Sequence, residues 1–152
     1  MSIVQTSCTI FQQNLLNGNE NFTTGTYKIA LYTGLANLNQ STTAYTSVGE
    51  VVGTGYTAGG KQLVISTPPT QSTTNNITYV SFANAVWSPA SFTCRGALVY
   101  NATTGAACFV LNFGSDKTCT TSFTVQFPAA NYSSAILTIG TTSSSINYSS
   151  SD

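Results

Sequence analysis

From Tyr27 onward the chain runs in short alternations of apolar and polar residues. Tyr27, Ile29 and Leu31 alternate with Lys28, Ala30 and Tyr32, and Leu63 and Ile65 alternate with Gln62 and Ser66 around Val64. Ile77, Tyr79 and Val80 lead to Phe82, and the apolar piece Val86-Trp87 stops at Pro89. Residues 97–100 and 108–113 flank a loop at 101–105 that ends in Gly105, a hairpin signal. Phe123, Val125 and Phe127 alternate with Thr124 and Gln126 up to Pro128, and Leu137 and Ile139 form a last piece closed by Gly140. A period of two is that of strands with one buried face. About seven to eight short antiparallel strands with turn punctuation predict an all-β single domain, a β-sandwich or barrel.

One segment breaks the period. Phe11, Leu15 and Leu16 recur at helical spacing, with Thr9 placed to cap and Gly18 to stop, which predicts a short N-terminal helix near residues 9–17. Two turns of helix need a neighbour to lie against. Two stretches read as long loops. One is 34–60, which contains GEVVGTGYTAGG; the other is 67–76, which begins near Pro68-Pro69. Long loops in a compact domain are where contacts with partners concentrate. Residues 1–140 read as the folded domain, and 141–152, nearly all Ser, Thr and Asn, as a tail or an arm laid over a neighbour. No solenoid period recurs.

Composition sharpens this picture. Only 5% of the 152 residues are charged, there is no histidine, and 41% are hydrophobic. A typical soluble domain is about one-quarter charged. Four positive and four negative residues give a formal net charge of +0, whereas a free protein is kept from its neighbours partly by surface charge. Such a surface suits a chain packed against other proteins. The first residues carry neither a basic region nor an unbroken apolar run, so no secretory signal is expected. No run approaches the roughly eighteen apolar residues of a membrane helix. The cysteines, Cys8, Cys94, Cys108 and Cys119, form no CxxC pair and read as reduced, buried small hydrophobes. A hairpin turning at 101–105 sets Val110 opposite Arg95, with Cys94 and Cys108 out of register.

The candidate chemistry is thin. Without histidine no Ser-His-Asp or Cys-His centre exists. The acids are Glu20, Glu50, Asp116 and Asp152, too scattered for a glycosidase pair or a hard-metal site. Asp116 and Lys117 read as sharing a turn. Glu50 opens the glycine-rich segment and reads as fixing it through a hydrogen bond or ion pair, with Lys61 or Arg95 as partner. Gly55 to Lys61 has GxxxxGK spacing, but Gln62 replaces the Ser or Thr of a phosphate loop and a strand follows in place of a helix. Four basic residues make no nucleic-acid track. Asn-x-Ser/Thr triplets at Asn21, Asn39, Asn76, Asn101, Asn131 and Asn147 are expected by chance in so Asn- and Thr-rich a chain. Tyr32, Tyr45, Tyr56, Tyr79 and Tyr100 suit a core, a protein interface or a sugar-binding face alike. No catalytic residue, cofactor, metal or zinc site is expected.

The segments YKIALYTG (27–34), GEVVGTGYTAGGKQL (49–63), the VW at Trp87, and RGALVYN with CFVLNFG (95–114) together resemble, in the same order, a group of tailed-bacteriophage virion structural proteins. GYTAGG is the most specific element, and the resemblance covers roughly residues 5–140. The Asn/Ser/Thr-rich tail and the low charge depart from that pattern. The resemblance implies a small β-rich particle protein with no enzymatic activity. It is expected to be a capsid cement or decoration protein on the major capsid protein, or else a neck or tail component. A carbohydrate-binding module of a fibre or adhesin, with Tyr and Trp87 as stacking platforms, is the alternative of another class. Assembly in bacterial cytoplasm and a homo-oligomer, a trimer foremost, go with the virion reading.

Overall fold

The computed structural model describes residues 2–140, so the tail or arm expected at 141–152 lies outside the described residues. The fold is all-β with one short helix. In chain order the elements are β1 (Thr6–Ser7), α1 (Thr9–Leu16), β2 (Tyr27–Tyr32), β3 (Lys61–Gln62), β4 (Ile65–Ser72), β5 (Ile77–Phe82), β6 (Ala85–Trp87), β7 (Phe92–Asn101), β8 (Ala107–Cys119), β9 (Phe123–Val125) and β10 (Leu137–Gly140). They form a five-stranded sheet, β1-β8-β7-β2-β3, a three-stranded sheet, β10-β5-β4, and a two-stranded sheet, β6-β9, all paired antiparallel.

The β7–β8 hairpin is the spine of the molecule. Its turn is set by Asn101, whose side-chain oxygen accepts the Thr103 N–H at 2.9 Å while Gly105 N–H returns to the Asn101 carbonyl at 2.8 Å. Gly105 sits at φ +79, a conformation that glycine adopts without strain. In the resulting register Val110 stands opposite Leu98, not Arg95, and Cys94 faces Lys117. β8 is bulged between Asn112, which faces Gly96, and Lys117. The extra residues displace the register beyond Asn112, and a second irregularity between Val99 and Tyr100 shifts the partner of Val110. Asp116 and Lys117 therefore lie within this bulged strand and not in a turn.

The layers meet through aromatic rings. Phe82 of β5 lies 5.5 Å from Phe127, 6.1 Å from Phe22, 6.3 Å from Tyr27 and 6.5 Å from Phe109. Phe123 of β9 contacts Phe92 at 5.6 Å and Phe113 at 5.9 Å. The two small sheets thus cover one face of the large one. Tyr32, Ala30 and Leu98 on the opposite face are also fully buried. They lie under the long 33–60 loop, where Tyr45 stacks on Tyr100 at 5.0 Å. The long loop forms a third layer.

Other expectations are corrected. Thr9 does not cap α1; Cys8 occupies the N-cap, held by its N–H to the Cys108 carbonyl at 2.8 Å. Phe11 is the buried helical residue, whereas Leu16 is 91% exposed. The stretch 67–76 is mostly strand: β4 carries Pro68 and Pro69 with register shifts at Ile65/Thr67 and Thr67/Thr70. Among the described residues β4 pairs only with β5, and an edge strand tolerates residues without an N–H.

Candidate functional site

Among the described residues Glu50 is the most heavily bonded acid. It is 8% exposed and sits in a cage of phenols. Tyr56 donates to its Oε1 at 2.6 Å, Gly59 N–H to the same oxygen at 2.8 Å, and Tyr45 to Oε2 at 2.6 Å. The cage continues through Tyr100, which donates to the Gly59 carbonyl at 2.5 Å, and Tyr32, which donates to the Thr46 carbonyl at 2.6 Å. Burial and then the hydrogen bond to Glu50 push the Tyr45 phenol up to about 12. The same two causes raise Tyr56 further. Burial raises Tyr32 and Tyr100, with the Glu50 charge adding to it. The phenols keep their protons and serve as donors, and both carboxylate oxygens are occupied. This arrangement holds a loop in place.

Neither basic residue expected beside Glu50 is there. Lys61 donates to the Val86 carbonyl and stands 5.8 Å from the Trp87 ring centroid. Arg95 pairs with Asp116 at 3.2 Å on the surface. The local reason lies in the glycines. Gly60, at φ +80, lets the loop come down on β2, where a Cβ would overlap the Ile29 carbonyl oxygen. That descent brings the Gly59 N–H and the Tyr56 phenol to Glu50, while Lys61 passes into β3 facing away.

The sequons have a structural reason too. The side-chain oxygens of Asn21, Asn39, Asn101 and Asn131 each accept the N–H of the residue two positions on, at 2.8, 2.8, 2.9 and 3.0 Å. At these four the Asn-x-Ser/Thr triplet is an Asx turn; Asn76 instead sits at φ 57, and Asn147 lies outside the described residues. The four cysteines are free and buried. Burial pushes Cys8 up to about 11 and Cys94 up to about 12. Among the described residues no three His, Cys, Asp or Glu side chains stand together as a metal site.

Several concave features remain among the described residues, and two of them have strongly apolar walls. The larger, about 420 Å³, lies between β8 and β9 and is walled by Leu111, Phe113, Phe123, Phe127, Pro128 and Ile136 among others. Lys117 is the one charged residue in its wall. The smaller, about 240 Å³, includes Glu20, an acid that a reading of the sequence leaves without a role. Glu20 was missed because its partners, Tyr27 at 2.7 Å and Asn101 at 3.2 Å, come from a neighbouring strand and from a residue far along the chain. Trp87 is 5% exposed and Tyr27 and Tyr32 are 0% exposed, so these rings are core and present no stacking face.

No family model matches the chain, and neither the curated proteins nor the solved structures contain a match to it.

Proposed function

We propose that the chain is a structural protein of a tailed-bacteriophage virion, foremost a capsid cement or decoration protein that binds the major capsid protein. A neck or tail position in the same particle is the nearer alternative. Its work is adhesion by surface burial and backbone hydrogen bonds, with no covalent step, and the subunits act as a homo-oligomer, a trimer foremost.

The observation that carries the reading is the largely apolar groove of about 420 Å³ between β8 and β9, with Lys117 its one charged wall residue, beside the outer edge of β9. Among the described residues β9 pairs only with β6. An open edge is a template for a strand from another chain, and an apolar groove beside it supplies the side-chain pockets. The prolines of β4 and its register shifts blunt the β4 edge. Leu35, Val48 and Val52 on the long loop are 66%, 72% and 96% exposed, which adds apolar surface in a chain with 5% charge. Exposed apolar area of this kind marks interaction surfaces. A sugar-binding reading would draw on Trp87 and the tyrosines, and those rings are largely interior.

Co-sedimentation tests it. The tagged chain is mixed with virions that lack it and run on a density gradient. Comigration with the particle at saturable stoichiometry is expected. Recovery only at the top of the gradient would overturn the reading.

A further inference from the structure

The groove between β8 and β9 has one charge in its wall, Lys117, and the β7–β8 ladder fixes the face it lies on. Thr93 and Thr118 stand opposite each other with their hydroxyl oxygens 2.8 Å apart, and Arg95 pairs with Asp116, so these four side chains share one face. Lys117 lies between Asp116 and Thr118 and opposite Cys94, which puts it on the other face together with Phe92. That face is the groove's: Phe123 of β9 meets Phe92 at 5.6 Å and Phe113 at 5.9 Å. The cation therefore stands at the Phe123 end of the groove.

Lys117 is exposed and has no ion pair or hydrogen bond among the described residues. Each described acid is already engaged elsewhere. Glu20 is held by Tyr27 and Asn101, Glu50 by two phenols and the Gly59 N–H, and Asp116 by Arg95. The remaining acid of the chain is Asp152, which lies outside the described residues. Residues 146–152 read INYSSSD. Ile146, Tyr148, Ser150 and Asp152 are two apart, so an extended segment carries all four on one side. From Ile146 to Asp152 such a segment covers about 20 Å, and β9 from Phe127 to Phe123 covers about 13 Å, which leaves length for the acid to reach Lys117.

We propose that the groove binds residues 146–152 of a second copy of this chain, antiparallel to β9, with Ile146 and Tyr148 against Phe127 and Val125 and Asp152 at Lys117. β9 pairs with β6 alone among the described residues, so its other edge can take the incoming backbone. The course of β10 favours a neighbour's segment over the chain's own. Ile136 lines the groove, but β10 then runs away from it. Gly140 stands opposite Ile77, at the far end of β5 from Phe82, the ring that meets Phe127 at 5.5 Å. To reach their own groove, residues 141–145 must reverse and return about 17 Å, whereas a neighbour's groove needs no reversal. An exchanged segment is a low-cost route to an oligomer. This contact rests on the homo-oligomer of the proposed function and supplies its interface; it needs no position in a virion.

Sedimentation velocity over a concentration series tests it on the full chain, a chain ending at Gly140, Lys117→Glu and Asp152→Lys. The full chain should self-associate and the shortened chain should be a monomer. Each charge reversal should weaken association at least about fivefold. The double variant Lys117→Glu/Asp152→Lys restores the pair and should recover most of that loss, which mere damage to the fold would not allow. Mixing the shortened chain, which keeps the groove, with Lys117→Glu, which keeps the segment, should give a mixed complex. Should the shortened chain not fold, the two reversals and their double variant carry the test. Self-association that neither shortening nor charge reversal alters overturns the assignment and leaves the homo-oligomer standing. A monomeric full chain overturns both, and amide shifts at Phe113 and Val125 on shortening then assign the groove to the chain's own segment. The virion reading fails separately, by co-sedimentation.

Discussion

The Tyr56 phenol donates to Glu50 Oε1 at 2.6 Å while its own oxygen accepts the Leu31 N–H at 2.9 Å. One side chain of the glycine-rich loop thus joins a buried carboxylate to the backbone of a central strand. The loop is locked on β2 by polar contacts where a second sheet would use apolar ones. In a low-dielectric setting such a network stabilises only when every member is satisfied.

Glu50→Ala removes the acceptor of Tyr45, Tyr56 and Gly59 N–H together. Each buried donor left unpaired costs about 1–3 kcal/mol, so a loss of roughly 3 kcal/mol or more is expected. Urea unfolding followed by circular dichroism reads it. By contrast Asp116→Ala, which breaks the exposed pair with Arg95, should cost under about 1 kcal/mol.

Two glycines of similar φ separate backbone strain from collision. Gly105, at φ +79, has nothing within 4 Å of a built Cβ, whereas one at Gly60, at φ +80, would lie 2.7 Å from Ala30 Cα and overlap the Ile29 carbonyl. Gly105→Ala should cost about 1 kcal/mol. Gly60→Ala should cost roughly 3 kcal/mol or more, because the loop must lift from β2. Equal melting temperatures for the two variants would contradict the packing of the loop on the sheet.

Alkaline pH should destabilise the fold. Burial holds Cys8 at about 11 and Cys94 at about 12, against 9.0 for a free thiol, and Tyr45 sits at about 12 against 10.0. Each folded-state value is raised above its unfolded one, so the native state holds its proton longer. The associated stability is fully present below pH 9.0 and is lost as pH rises through 9.0 towards about 12. Thermal melts across that range check the slope. An aromatic thiol reagent at pH 8 should leave all four cysteines largely unmodified until denaturant is added.

Self-association is the expected behaviour of the isolated chain near neutral pH, where its formal net charge is +0. Light scattering over a concentration series should give a mass above that of one chain, or loss of material to precipitation. A highly soluble monomer at every concentration would contradict the assignment of its uncharged surface to assembly.

The strands were legible wherever the apolar period of two was strong, as in β2, β5, β7, β8 and β9. The hairpin turn at Asn101 and Gly105 was legible as well. What escaped was set by distant partners. Pro68-Pro69 read as a loop because an edge position, which alone makes them admissible in a strand, is a property of the sheet. Val110 stands opposite Leu98 and not Arg95 because the register slips between Val99 and Tyr100, an irregularity beside the turn that leaves no alternation signal. Glu50 was recognised as the residue that fixes its loop, but Lys61 and Arg95 were chosen as partners by charge. The phenols that hold it reach it only when Gly60 seats the loop on β2.

Counting this chain in purified virions by quantitative mass spectrometry, against an isotope-labelled standard, tests the proposed function most directly. Hundreds of copies per particle are predicted for a cement protein, and about a dozen or fewer would move it to the neck or tail. Absence of the chain from washed, intact virions would contradict the account.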